Sequence, residues 1–300
     1  MRILVAYLII FSLVSLSLPA AFAQEKLSIE IKADKSTFLL GEPVILYISL
    51  KNSDMTSSEV VPLEPEYGFA EYMIKGPNRL EKRFLPWSYR ELADPRKLLA
   101  PGEEMTAFSK IFYGSDGWTF KTPGAYEIWM VYQGNLSSNR LTLDIMKATD
   151  QANLTAGDLF LGSDEVGKFL LFEGGDHLKD GIGRINQVTS QFPDTPHAAY
   201  ANYALGKNMM SDFANFVENR LRPANPKLAA QYLEKEEMAQ VGFYYTIQTY
   251  LTLSEAYKET GNITLSESMK TKLNRTTLER FKQSIPILKQ SLALNRTTTE

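Results

Sequence analysis

The stretch from Ile29 to Asn52 constrains the fold most strongly, because apolar and polar residues alternate along it with a period of two. Ile29 and Ile31 alternate with charged residues, and the alternation resumes at Val44 after the turn signal Gly41-Glu42-Pro43. Such a period predicts strands with one buried face. Because a lone hairpin is only marginally stable in water, the stretch also predicts a second sheet that covers it.

Further period-two segments follow as far as Met146, separated by turns rich in proline and glycine. The clearest of them are 68–74, 104–112, 125–132 and 140–146. The interval 82–101 contains three prolines, which argues against a central strand there. About seven short strands in succession predict an antiparallel β-sandwich over residues 24–147.

Four segments of this region resemble a known family. Phe38 to Val44 (FLLGEPV) is similar to the opening of many bacterial immunoglobulin-like domains, 99–103 is similar to the start of their middle strand, and 123–128 with 138–143 is similar to their last hairpin. The resemblance implies an all-β Ig-like sandwich in which Tyr126 is the corner tyrosine that bonds to the backbone at the turn into its strand. It implies little about function, because this sandwich serves adhesion, ligand binding, protease inhibition and spacing alike.

From Ala148 onward the apolar period changes to three and four residues, which is the period of an amphipathic helix. Val166 begins one apolar face soon after the predicted capping run Ser163-Asp164-Glu165. A second stripe consists of Leu178, Ile182, Ile185, Val188 and Phe192. The pattern predicts an all-α region of six or seven helices in antiparallel pairs over residues 148–300.

Several helix boundaries are indicated by capping residues. Thr195-Pro196 predicts the start of a helix that continues to Phe216. The segment 227–260 predicts either one long helix or two helices broken near Gly242. The segment Thr264–Glu267 has the spacing of a capping box and predicts the start of the next helix.

Two segments of the helical region resemble tetratricopeptide-type repeats of exported bacterial proteins. They are 192–201 (FPDTPHAAYA), followed by Leu205-Gly206, and 250–262 (YLTLSEAYKETGN). The two matches lie about 55 residues apart, whereas such repeats have a period of about 34, so the repeat is degenerate or interrupted. The resemblance implies helical hairpins that present a surface to a protein or peptide partner.

The N-terminus has the pattern of a secretory signal peptide. Arg2 is the only charged side chain before residue 24, the segment 3–18 is almost wholly apolar or serine, and Ala21-Phe22-Ala23 fits a small-x-small cleavage site. The alternative is an uncleaved anchor, but the apolar run is shorter than the ~20 residues of a spanning helix. We therefore predict a signal peptide over 1–23 and a secreted or periplasmic protein that meets the membrane only before cleavage.

Composition and motifs exclude most catalytic chemistry. The chain contains no cysteine, and its two histidines, His177 and His197, lie 20 residues apart without an H-E-x-x-H context, so no metal site is predicted. No nucleophile elbow or Walker-type phosphate loop occurs. A formal net charge of −3 argues against nucleic-acid binding. We therefore expect a protein that is not an enzyme and uses no cofactor.

Aromatic side chains in the first region are the candidates for binding. Trp87 and Tyr89 lie in the proline-rich interval, and Trp118 ends the loop Gly114–Trp118. Exposed rings of this kind stack on sugars or anchor a protein partner, whereas tucked-in rings cap the ends of the sandwich. The leading hypothesis is an exported binding or scaffold protein of the cell envelope whose helical region binds a protein or peptide. The alternative is a carbohydrate- or cell-wall-binding module that uses the three rings.

Overall fold

The computed structural model describes residues 27–215, 219–237 and 241–284. The predicted signal peptide, 1–23, and the predicted helical residues beyond 284 lie outside these ranges. Thirteen of the described strands precede residue 147: β1 (Leu27–Ala33), β2 (Thr37–Leu39), β3 (Ile45–Asn52), β4 (Ser58–Val60), β5 (Ala70–Lys75), β6 (Glu81–Arg83), β7 (Lys97–Leu99), β8 (Glu104–Lys110), β9 (Tyr113–Gly114), β10 (Gly117–Trp118), β11 (Gly124–Tyr132), β12 (Leu136–Ser137) and β13 (Leu141–Met146).

These strands form two main sheets, one in the order β1-β3-β8 and the other in the order β2-β13-β11-β5-β6, with β12 beside β11. Two smaller pairs are β4 with β7 and β9 with β10. The predicted alternation in β1 is confirmed, since Ile29 and Ile31 are buried and their neighbours Glu30 and Lys32 are exposed. The two sheets therefore bury one face each, as half-buried antiparallel sheets do.

The connection from β1 to β3 differs from the tight turn that the sequence suggested. β1 and β3 pair antiparallel, from Leu27 opposite Asn52 onward. Between them, β2 crosses to the other sheet and pairs in parallel with β13, with Phe38 opposite Ile145. Gly41 then turns the chain back with a φ of +84°, a conformation that favours glycine. One stretch of sequence thus contributes to both sheets.

Two side chains of the strand region bond to main chain, and the first of them joins the two sheets. The Asn139 side chain accepts a hydrogen bond from Ile31 N at 2.8 Å and donates one to Ile31 O at 3.1 Å, so it pairs with the edge of β1 as a neighbouring strand would. The Tyr126 hydroxyl donates to Thr122 O at 2.9 Å, which is the bond to backbone expected of this residue. No disulfide joins the sheets, since the chain has no cysteine.

The described α-helices all follow residue 150. They are α1 (Gln151–Leu161), α2 (Asp164–Phe172), α3 (Lys179–Gln191), α4 (Pro196–Met209), α5 (Pro226–Glu237), α6 (Phe243–Glu259) and α7 (Ile263–Ser284). Thr195 caps α4 as predicted, because its side chain accepts a hydrogen bond from Ala198 N. The segment 227–260 forms two helices, and Gly242 is the cap of the second. The fold is therefore a mixed one, with sheets first and helices after them.

Two predicted boundaries in the helical half are wrong. The helix predicted to continue to Phe216 ends at Met209, and a short hairpin of β14 (Phe213–Asn215) with β15 (Arg220–Arg222) follows it. Arg222 donates to Asn208 O at 2.8 Å and thereby satisfies a carbonyl at the helix end. The capping box at Thr264–Glu267 is also absent, because Asn262 caps α7 two residues earlier by accepting from Leu265 N.

The buried apolar residues of the two halves form one continuous cluster. Ile31, Leu46 and Leu143 belong to it from the sheets, and Phe160 and Phe169 belong to it from the first two helices. The junction between strands and helices is therefore part of the hydrophobic core, and the side chains at that junction are held in fixed positions.

Candidate functional site

A cleft of about 210 Å³ opens where the strands meet the C-terminal end of α2. Its walls come from the 3-10 turn Pro65–Tyr67, the irregular segment 84–90, β8 and α2. Most of the lining is apolar or aromatic: Tyr67, Phe84, Pro86, Trp87, Phe108, Tyr113, Leu171 and Phe172. A concave site of mainly aromatic surface with a few polar groups is the usual form of a binding site.

The close approach of α2 to the strands depends on Gly167. A Cβ atom at this position would lie 2.2 Å from Tyr113 Cδ2, so only glycine allows the helix backbone to rest on the tyrosine ring. Leu171 lies four residues further on and so shares the face of Gly167. The contact therefore brings the end of α2, with Leu171 and Phe172, to the side of the cleft.

The segment 84–90 forms the opposite wall and is tied to its surroundings by main-chain hydrogen bonds. Ser115 N donates to Leu85 O at 3.0 Å, and Arg90 N donates to Glu66 O at 2.7 Å. The segment 84–90 can approach the backbone at Gly114 closely only because this residue is glycine, since a Cβ there would lie 2.2 Å from Leu85 O. The proline-rich interval is thus an ordered wall, although most of it is not a strand.

A largely buried ion pair connects the floor of the cleft to the helices. Lys110 Nζ lies 2.6 Å from Glu173 Oε1 and donates to Leu171 O at 3.0 Å. The Tyr244 hydroxyl donates to the same Glu173 oxygen at 2.8 Å. Burial raises the pKa of Glu173, but Lys110, the Tyr244 hydrogen bond and the more distant Lys207 outweigh burial and hold that pKa below its ordinary value. Glu173 is therefore ionised and neutralises Lys110.

Glu66 lines the cleft together with Glu64 and has no such partner. Burial raises its pKa, and the neighbouring Glu64 adds to the effect, while its own backbone amide, Arg90 and Lys110 partly oppose it. Across the described residues, no ion pair within 4.0 Å involves Glu66 or Glu64. A partly buried carboxylate without a close cation is costly to ionise, which is the physical cause of the shift.

The structure brings one of the three predicted aromatic residues into the cleft. Trp87 is 39% exposed, lines the cleft, and lies against Tyr113 with ring centroids 5.8 Å apart. Lys168 Nζ lies 4.6 Å from the centroid of the Trp87 ring, in the position of a cation–π contact. Tyr89 is 58% exposed on the same segment, but it is not part of the lining.

Trp118 is a tucked-in ring, which is one of the two alternatives that the sequence left open, and it is therefore not an exposed binding residue. It is 4% exposed, and its Nε1 donates to Ser163 O at 3.4 Å, just before α2. The short hairpin of β9 and β10 turns the ring under the helix, edge-on to Tyr113 at 5.7 Å. Trp118 therefore packs the junction between strands and helices and offers no free ring face.

Sequence reasoning missed a second polar feature of the junction, the buried residue His197. Its Nε2 lies 2.8 Å from Leu40 O and therefore donates to it, while Nδ1 is buried without a hydrogen-bond partner in the part of the chain that the structure describes. Burial lowers the pKa of His197 to about 4, so the ring is neutral at pH 7. The run of small residues after Pro196, which indicates close helix packing, is the signal that could have pointed to a buried position.

The described residues contain neither a cluster of potential metal ligands nor a helix able to span a membrane. Nowhere in the described ranges do three or more His, Cys, Asp or Glu side chains gather as they would around a metal ion. None of the helices within those ranges combines the length and the apolar character needed to cross a bilayer. His177, the other histidine, stacks on Phe213 of β14 with ring centroids 5.8 Å apart.

Comparisons with known proteins do not assign the chain to a family. No family model matches it, and no curated protein matches it. Among solved structures, the chain is similar over 40% of its length to 16% of a β-glucosidase from Listeria innocua, with 13% identity and a TM-score of 0.27. It is similar over 41% of its length to 31% of an alkylpurine DNA glycosylase from Pseudomonas fluorescens, with 14% identity and a TM-score of 0.28.

A third similarity is to a CARDB domain from Pyrococcus furiosus. It covers 41% of this chain and 94% of that domain, with 16% identity and a TM-score of 0.24. These scores are too low to support an argument about fold or function. The function must therefore be argued from the cleft itself.

Proposed function

We propose that this protein is a non-enzymatic binding protein of the cell envelope that holds a protein or peptide partner in the cleft, with the helical half supplying one wall. The observation that carries the proposal is the exposure of Phe172 and Trp87, which are 53% and 39% exposed on two different walls of one concave site. Large apolar side chains that remain exposed around a groove mark surfaces used for interaction. A partner that covers both rings would remove this apolar surface from water.

Within this proposal the strand-rich half is an Ig-like sandwich. Two features support the assignment. The pair of β2 with β13 is parallel whereas the other pairs of the two main sheets are antiparallel, and Tyr126 bonds to Thr122 O as a corner tyrosine does. The helical half is proposed as a tetratricopeptide-like array, because short links such as 192–195 and 260–262 place consecutive helices antiparallel.

A location outside the cytoplasm is also part of the proposal, and it rests on the N-terminal sequence alone. Met1 to Ala23 has the apolar run and the cleavage pattern of a signal peptide, and it lies outside the described residues. N-terminal sequencing of the protein recovered from the envelope or the medium is expected to begin at Gln24. A protein that retains Met1 in the cytoplasm would contradict this location.

Peptide selection with the whole chain tests the binding function. Phage-displayed peptides would be selected on the chain from Gln24 onward, and the affinity of the selected peptides would be measured by fluorescence polarisation. Phe172→Ala and Trp87→Ala are each expected to weaken binding by about tenfold or more, the effect of removing an aromatic anchor. The matched control is Leu221→Ala, since Leu221 is 65% exposed on β15 and away from the cleft lining.

Two results would count against the function. If the selection yields no peptide that binds the chain, the proposed peptide-binding function is wrong. Peptides that bind Phe172→Ala and Trp87→Ala as tightly as the wild type would show that a surface other than the cleft is used.

Carbohydrate binding is the second candidate, and one observation favours it. Trp87 and Tyr89 are both exposed and stand two residues apart on an ordered segment, which suits stacking on successive sugar rings. Trp118 no longer contributes to this candidate because it is buried. Binding on a glycan array that is lost in Tyr89→Ala and kept in Phe172→Ala would favour this candidate over peptide binding.

A further inference from the structure

The charged side chains of the cleft do not balance one another. Four of them line it, namely Glu64, Glu66, Arg90 and Lys110. Lys110 is already neutralised, because Glu173 Oε1 lies 2.6 Å from its Nζ. Two carboxyl groups and one guanidinium remain, so the cleft is one positive charge short of neutrality when both carboxyl groups are ionised.

The ionised form of Glu66 is the charge in the cleft that a nearby cation would stabilise most. Burial raises its pKa, which shows that its surroundings disfavour the charged form more than Arg90 and Lys110 favour it. An ammonium or guanidinium group brought beside it would offset the lost hydration, since hydrogen bonds between charged groups are the stronger ones. Lys168 does not serve this purpose, because its Nζ lies over the Trp87 ring and the residue is not part of the lining.

The size and surface of the cleft suit one long side chain. Its volume of about 210 Å³ lies below the ~300–1,000 Å³ of pockets that take drug-sized ligands. Its accessible aromatic walls include the partly exposed rings of Tyr67 and Phe108. Lysine and arginine combine an apolar stem, which packs on such walls, with a charged head that seeks a carboxylate.

We propose that the cleft selects a lysine or arginine side chain of the bound peptide, with the apolar stem against the aromatic walls and the charged head at Glu66. The inference rests on the proposed peptide-binding function and specifies the residue that is recognised. It makes Glu66 a specificity-determining residue, while Phe172 and Trp87 supply apolar contact.

Two small probes of nearly equal shape test the inference. Nα-acetyl-L-lysine methylamide and Nα-acetyl-L-norleucine methylamide differ chiefly in the terminal ammonium group. Binding to the chain from Gln24 onward would be followed by saturation-transfer NMR and by tryptophan fluorescence, for which Trp87 is the exposed reporter because Trp118 and Trp129 are 4% and 8% exposed. At pH 7.5 we expect the lysine probe to bind about tenfold more tightly or better.

Substitution of Glu66 and a change of pH give two independent checks. In Glu66→Gln the preference for the lysine probe should disappear, whereas Glu81→Gln, at an exposed position on β6, should keep it. In the wild type the preference should fall as the pH is lowered through the pKa of Glu66, because the protonated group no longer attracts a cation. The pH series needs no substitution and so remains informative if Glu66→Gln does not fold.

The outcomes separate this inference from the function on which it rests. Equal binding of the two probes, no binding of either, or a preference that survives Glu66→Gln would overturn the inference. If selected peptides still bind and Phe172→Ala still weakens them, the peptide-binding function stands without it. If neither the selected peptides nor the probes bind, both proposals are wrong.

Discussion

Replacing Gly167 with alanine tests whether α2 rests directly on the tyrosine that lines the cleft. The added Cβ would lie 2.2, 2.4 and 2.8 Å from three atoms of the Tyr113 ring. Tyr113 is 1% exposed, so the ring has no solvent into which it could turn. Overpacking of this kind costs about 1–3 kcal/mol, and so close a contact belongs at the upper end. Since alanine itself favours a helix over glycine by about 1 kcal/mol, we expect a net loss of about 2 kcal/mol.

Gly183→Ala is the matched control, because Gly183 lies in α3 and a Cβ there would meet nothing within 4 Å. This variant should gain about 0.5–1 kcal/mol from helix propensity alone. The free energy of unfolding would be measured for both variants in urea, by far-UV circular dichroism and by tryptophan fluorescence. The two substitutions are chemically identical and should change stability in opposite directions.

If the Gly167→Ala variant were as stable as the wild type, the helix could not touch the Tyr113 ring as described. A double-mutant cycle sharpens the test. Tyr113→Leu shortens the partner side chain, so the cost of Gly167→Ala should shrink in its presence. If the changes in unfolding free energy for Gly167→Ala and Tyr113→Leu were additive, the two residues would not be in contact.

Three further predictions use the same unfolding assay. Lys110→Met leaves Glu173 without its nearest cation and should lower the free energy of unfolding by about 3 kcal/mol at pH 7, and adding Glu173→Gln should restore much of that loss. Because the fold lowers the pKa of Glu173, the stabilisation by this pair is present above the ordinary carboxyl pKa and is lost as the pH falls through the pKa of the folded state. The pKa of His197 is about 4 in the fold against an ordinary value of 6.5, so the free energy of unfolding should fall by about 3 kcal/mol as the pH is lowered from 6.5 to 4. His197→Gln should abolish this part of the pH dependence of stability. Asn139→Ala removes both hydrogen bonds to the Ile31 main chain and should cost about 1–3 kcal/mol. An unchanged pH profile, or no loss on either of the other substitutions, would contradict the corresponding contact.

Local patterns in the sequence predicted the features of the fold that depend on local forces. The alternation around Ile31 predicted a strand with one buried face, and Thr195 predicted a helix cap, because strand burial and capping are decided within a few residues. The proline-rich interval was expected to hold no central strand, and only the edge strand β6 and the short β7 occur there. The pattern around Phe38 could not show that β2 changes sheets, since a strand of three residues carries no signal of its partner.

The candidate site was predicted only in part, because it is built from residues distant in the sequence. Trp87 was named as a candidate and lies in the cleft, but Glu66 and Phe172 come from segments that nothing local links to it. The sequence left open whether Trp118 is exposed or tucked in, because its contacts include Ser163, 45 residues away. A period of hydrophobicity reports which face is buried, and it does not report which element covers that face.

The contacts between the halves determine how the function has to be tested. Lys110 bonds to Glu173, His197 bonds to Leu40, and the Tyr113 ring occupies the space at Gly167, so each half supplies partners for polar or apolar groups buried in the other. If the helices were expressed alone, Glu173 would lose its nearest cation and the faces packed on the strands would be exposed to water. Such a fragment would attract other proteins through surface that is covered in the whole chain. A partner captured by the fragment would therefore be evidence about that exposed core, and the cleft can be tested only in a chain that contains both of its walls.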